Sequence, residues 1–87
     1  MERLERVELS RRAYGNYQTL PPEWRLVVKN ALHRLRAGPR RKGRKVRGQV
    51  YAMVVRAPGG RRHYRLVYEV IESERLILVC KIGALFL

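Results

Sequence analysis

The stretch HYRLVYEV, residues 63–70, decides how the rest of this 87-residue chain is read. Tyr64, Leu66, Tyr68 and Val70 alternate with His63, Arg65, Val67 and Glu69. That two-residue period belongs to a strand with one face on a core and the other open. The Tyr/Leu/Val face is expected to carry the packing layer, which leaves Arg65 on the opposite face. Just before the strand, Arg61 and Arg62 close the link RAPGGRR, so they gather with His63 and Arg65 at one strand mouth. Neither a turn nor a core strand needs that much positive charge.

Working outward, residues 76–82 (LILVCKI) form a nearly continuous apolar run, reached through the link IESER. Residues 49–55 (QVYAMVV) are apolar on both faces, as a covered central strand would be. Both links are of hairpin length. Upstream, residues 40–48 (RRKGRKVRG) read as a basic loop with two glycines. Before that loop, Trp24, Val27, Val28, Ala31, Leu32 and Leu35 fall on one helical stripe. Pro22 suits the first turn of that helix, and Gly38-Pro39 ends it. Ser10 offers an N-cap for RRAYGNYQTL, a short and weak helix containing Gly15. The break Leu20-Pro21-Pro22 is so short that the two helices are expected to pack as a hairpin. Leu4, Val7 and Leu9 supply a first strand. The order is β-α-α-β-β-β over residues 1–87. It describes one α+β domain, a helical hairpin packed on one face of a mostly antiparallel four-stranded sheet.

Charge bounds the function. The chain carries 20 basic and 7 acidic residues, a net charge of +13, with 16 Arg to 4 Lys and every acid a Glu. Arg grips phosphate with a planar fork, so this bias suits phosphate binding. It also suits GC-rich coding or thermal adaptation. The charge is segregated: no acid lies between Glu23 and Glu69, an interval holding 14 of the 20 basic residues. A one-sign block of that length points to a polyanionic partner, with nucleic acid the first candidate. No long amphipathic helix pairs a basic face with exposed aromatics, which argues against a membrane surface. Residues 76–87 are apolar but too short to span a bilayer. The charged start MERLERVELS argues against a signal peptide, and a cytoplasmic location is expected. Cys80 is the only cysteine, so it reads as a small buried hydrophobe rather than a disulfide partner or metal ligand.

Arg65 on an open sheet face, with Arg61 and Arg62 at the rim, makes a cradle for a nucleic-acid backbone. The alternative is an ion pair from Arg65 to Glu69 or Glu72. His63, among three arginines, is a candidate proton mover. Arg40, Arg41, Lys42, Arg44, Lys45, Arg47, Arg56 and Arg62 are the candidate RNA-binding cations. No metal cluster, phosphate loop or paired carboxylate site is present in the sequence, and no cofactor is expected.

Taken together, the break LPPEWR, then KVRGQVYAMVVR, then YRLVYEV followed by LILVCKIG resemble the RelE/ParE superfamily of toxin–antitoxin toxins. The resemblance runs from about Val7 to Gly83 and implies the same β-α-α-β-β-β fold. For RelE-like members it implies an endoribonuclease that enters the 30S ribosomal A site, contacting rRNA and the mRNA, and cuts the codon there without a metal. It also implies an acidic antitoxin partner of the RelB type. The motif-matched residue is Arg65, which the resemblance implies holds the scissile phosphate; Arg61, Arg62 and His63 are added on charge and placement. Two departures stand out. Ala52 and Val54 occupy positions where RelE-type members often carry lysines. The chain also closes with GALFL, where a basic residue and later an aromatic one often follow the glycine. His63, Arg61, Arg62 or the Lys42/Lys45 segment would then have to substitute. Two other readings share the same features: a ParE-like inhibitor of DNA gyrase, and a non-catalytic RNA-binding protein.

Overall fold

Ser10 is where the chain turns from strand to helix, and it does so through the cap that the sequence predicts. Its Oγ accepts the Ala13 amide at 3.1 Å, and its hydroxyl donates to the Cys80 carbonyl at 3.1 Å. One side chain thus starts the first helix and ties it to the last strand. The computed structural model describes residues 6–56 and 63–85. Its elements are β1 (Arg6–Leu9), α1 (Arg11–Gln18), α2 (Pro22–Leu35), α3 (Pro39–Lys42), β2 (Arg44–Arg47), β3 (Val50–Arg56), β4 (His63–Ile71), a 3₁₀ turn (Glu72–Glu74) and β5 (Leu76–Leu85). The sheet order is β1-β5-β4-β3-β2. β1 runs parallel to β5, and the other pairings are antiparallel.

The sheet therefore has five strands where four are expected. The addition is β2, which lies inside the segment read as a basic loop and pairs with the outer edge of β3. All four of its residues are exposed, so no apolar alternation marks it in the sequence. An edge strand loaded with cations also resists pairing with other chains. The same segment holds α3, a single turn begun by Pro39.

The helices cover the face that the alternation of β4 selects. Tyr64, Leu66, Tyr68 and Val70 are buried, as are Tyr51 and Val55 from β3 and Ile77, Val79 and Ile82 from β5. Against them pack Trp24, Val28, Ala31 and Leu35, the inner stripe of α2. Trp24 meets Tyr64 edge-on, with ring centroids 4.5 Å apart. α1 rests on β1 and β5, while α2 reaches β3. Among the described residues no polar or charged side chain is fully buried, and no helix is long and apolar enough to cross a membrane.

Tyr68 does more than fill space. It stacks on Tyr51 at 5.9 Å, and its hydroxyl donates to the Pro39 carbonyl at 2.5 Å. That bond pins α3, and with it the start of β2, to the sheet. Burial, and secondarily Tyr51, push the Tyr68 phenol up from an ordinary 10.0 to about 12. The raised value favours the neutral phenol in the folded state. Its contribution to stability is therefore intact below pH 10 and is lost as the pH rises through 10 toward 12. Urea melts between pH 8 and 12 are expected to show a steeper alkaline loss for the parent chain than for Tyr68→Phe. Parallel curves would assign the alkaline loss to other groups.

Candidate nucleic-acid interface

The uncovered face of the sheet carries the other half of each strand, and the register aligns it into rows. One row runs from Arg44 on β2 through Ala52 and Val67 to Lys81 on β5. The next holds Val54, Arg65 and Gly83, and the one beyond it Arg56, His63 and Leu85. Strands lie about 4.8 Å apart and same-face rows about 6.8 Å apart, so Arg65 stands amid cations on a floor of small and apolar residues. Lys42, Arg44, Val54, Arg65 and Leu85 border an open groove of about 590 Å³. A smaller hollow of about 120 Å³ adjoins it, between Arg65, Lys81 and Gly83. No carboxylate lines either one among the described residues.

Arg65 is exposed and makes no ion pair with the described residues. The pairing with Glu69 or Glu72 does not form. Glu72 is taken by Arg40 at 3.1 Å, and Glu69 sits four residues up the strand, roughly 13 Å away along it. His63 is half-buried on the same face as Arg65, and its Nδ1 is buried without a hydrogen-bond partner among the described residues.

The basic segment divides. Lys42 and Arg44 turn into the groove beside Arg65. Arg40 holds Glu72 and Gln49 and so braces the far end of the sheet. Arg41 folds back over Gly38. Lys45 opposes Tyr51 and thus belongs to the other side of the sheet, while Arg47 opposes Val50 in the row of Glu69. Arg56 closes the His63 row. Arg61 and Arg62 lie outside the described residues.

One groove residue escapes the sequence reading: Lys81. It reaches the open face because β5 bulges at Cys80, where the register steps from Val67↔Lys81 to Tyr68↔Val79. Plain alternation from Ile77 and Val79 would turn Lys81 into the core, and the extra residue reverses that parity. Cys80 itself is half-buried. Burial, and then the nearby Glu69 carboxylate, push its thiol up, which opposes a thiolate role.

No protein-family model and no curated protein sequence matches the chain. Solved structures do. A double arginine-to-alanine variant of E. coli toxin RelE in the free state superposes with a TM-score of 0.75 at 27% identity, over 95% of this chain and 83% of that one. The intact E. coli RelBE toxin–antitoxin complex gives 0.74 at 24%, over 88% and 92%. The RelBE2 toxin–antitoxin complex of Mycobacterium tuberculosis gives 0.74 at 20%, over 92% and 96%. Over nearly its whole length the chain shares the fold of these toxins, and the likeness to E. coli RelE at 27% identity supports a RelE-like toxin.

Proposed function

We propose that this RelE-like toxin is a ribosome-dependent endoribonuclease that cuts mRNA in the A site. The observation that carries the reading is Arg65: an exposed guanidinium with no carboxylate partner among the described residues, lining a groove bordered by Lys42 and Arg44. Uncompensated cations on a sheet face repel one another, and a phosphate backbone relieves that repulsion.

The reaction that fits is transesterification within the RNA. The ribose 2′-oxygen attacks the adjacent phosphorus, the P–O5′ bond breaks, and the products are a 2′,3′-cyclic phosphate and a 5′-hydroxyl. One proton leaves the 2′-OH and one is delivered to the departing 5′-oxygen. Arg65 contacts the non-bridging oxygens, where negative charge builds in the transition state. His63, one row from Arg65 on the same face, is the candidate for moving one of those protons. Arg44 and Lys42 hold flanking phosphates, with Arg61 and Arg62 assigned to the same backbone on sequence grounds. The acidic antitoxin is the physiological partner, drawn to the same cations, and the site of action is the cytoplasmic ribosome.

The test is cleavage of a defined mRNA on programmed ribosomes with an empty A site. A cut inside that codon, ending in a cyclic phosphate, is the expected result. Intact mRNA with folded protein, together with inhibition of DNA gyrase supercoiling, would replace this reading with the gyrase one. The apolar side chains Ala52 and Val54 on the groove floor would then be the contact surface.

A further inference from the structure

Ala52 and Val54 leave the β3 side of Arg65 without charge, whereas the β5 side carries Lys81. We infer that Lys81 is the second phosphate-contacting cation of the groove, acting with Arg65 on a single phosphodiester. The inference rests on the proposed RNA reading and names a residue that neither charge clustering nor motif match picks out.

Three observations converge. First, the Cys80 bulge turns Lys81 onto the open face, directly opposite Val67 and diagonal to Arg65. Bulges of this kind leave one residue unpaired and reverse the facing of the residues beyond it. Second, the Lys81 stem lies along its own strand toward Arg65's partner. Its Cε is 3.5 Å from where a Cβ on Gly83 would stand, and Gly83 directly opposes Arg65. Lys81 and Arg65 border the same hollow, with Gly83 and Val67 also lining it. Third, Lys81 is exposed, and no carboxylate is bonded to it among the described residues. A merely solubilising lysine has no reason to sit at a bulge beside the motif arginine.

The chemistry suits the pair. Arg65 offers a planar fork to two non-bridging oxygens, and Lys81 offers a compact point charge from the neighbouring strand. Two cations approaching one phosphorus from different strands stabilise the charge-rich transition state more than the singly charged diester. That difference is the condition for a gain in rate rather than in binding alone. The bare edge of Gly83 leaves room for the RNA backbone between them.

The test compares Lys81→Ala, Lys81→Arg and Lys29→Ala, the last an equal charge change on α2. The probe is a short single-stranded RNA with 2′-O-methyl groups, which bind but cannot cyclise, measured by anisotropy across a salt series. Lys81→Ala is expected to weaken binding several-fold and flatten the slope of log K against log salt by about 0.7, with Lys81→Arg restoring most of the slope. On programmed ribosomes, Lys81→Ala is expected to slow single-turnover cutting at least tenfold beyond Lys29→Ala. If Lys81→Ala binds and cuts like Lys29→Ala, Lys81 is not at the phosphate and the inference is overturned while the ribonuclease reading survives. If the parent chain does not cut at all, that reading fails, and the RNA-binding comparison alone still decides Lys81.

Discussion

Arg65→Ala is expected to lower the rate of A-site mRNA cleavage by about 10²- to 10³-fold without loss of folding. The size follows from the role: removing one preorganised donor from a developing oxyanion costs that much in enzymes where it has been isolated. Retained folding follows from the site. Arg65 is exposed, its flanking partners are Val54 and Gly83, and the core residues Leu66 and Tyr64 on either side point the other way. Relief of like-charge crowding with Lys81 should leave the melting temperature equal to the parent's or slightly higher. Arg65→Lys separates charge from geometry. A lysine keeps the charge but loses the two-pronged grip, so an intermediate rate is expected. A variant that melts like the parent and cuts like the parent would remove Arg65 from the chemistry. A variant that stops cutting only because it unfolds would show itself in the melt.

That a variant can be so specific reflects how clearly one strand announces its two faces. In residues 63–70 the alternation has no exception: Tyr64, Leu66, Tyr68 and Val70 are buried and Arg65 is exposed. The α2 stripe was equally legible, because Trp24, Val28, Ala31 and Leu35 repeat at helical spacing and need a surface to cover. What stayed hidden was set by pairing rather than by local pattern. β2 has no apolar face, so nothing in RKVR distinguishes an edge strand from a loop until β3 offers its free edge. Lys42 and Arg44 were visible as charge, but their convergence on Arg65 depends on that pairing. The Lys81 orientation depends on one extra residue in β5. A trace of it was present: a lysine in phase with Ile77 and Val79 cannot be buried cheaply, and that conflict itself implies a bulge.

A second constraint on the groove is steric, and it predicts a large stability effect. Gly43 joins α3 to β2 with φ −119° and ψ 177°, an extended conformation open to any residue, so backbone freedom does not explain the glycine. Space does. A Cβ there would clash with the Tyr68 hydroxyl and stand 2.9 Å from the Ala52 carbonyl oxygen. Tyr68 is fully buried and its hydroxyl is committed to Pro39, so it cannot swing aside without losing that bond. Gly43→Ala is therefore expected to cost about 2–4 kcal/mol, from overpacking plus the strained hydrogen bond. For a domain of this size that is roughly 10–25 °C in melting temperature. Lys42 and Arg44 flank the displaced residue, so RNA affinity should fall with it. Tyr68→Phe alone leaves the Pro39 carbonyl unpaired and should cost about 1 kcal/mol. In that background the hydroxyl that meets the new Cβ is gone, and Gly43→Ala should cost about 1–2 kcal/mol less than in the parent. The Ala52 carbonyl contact persists, so rescue is partial. Strictly additive losses in the double variant would mean that the phenol does not hold the basic segment in place, and that β3 pairing alone sets the groove.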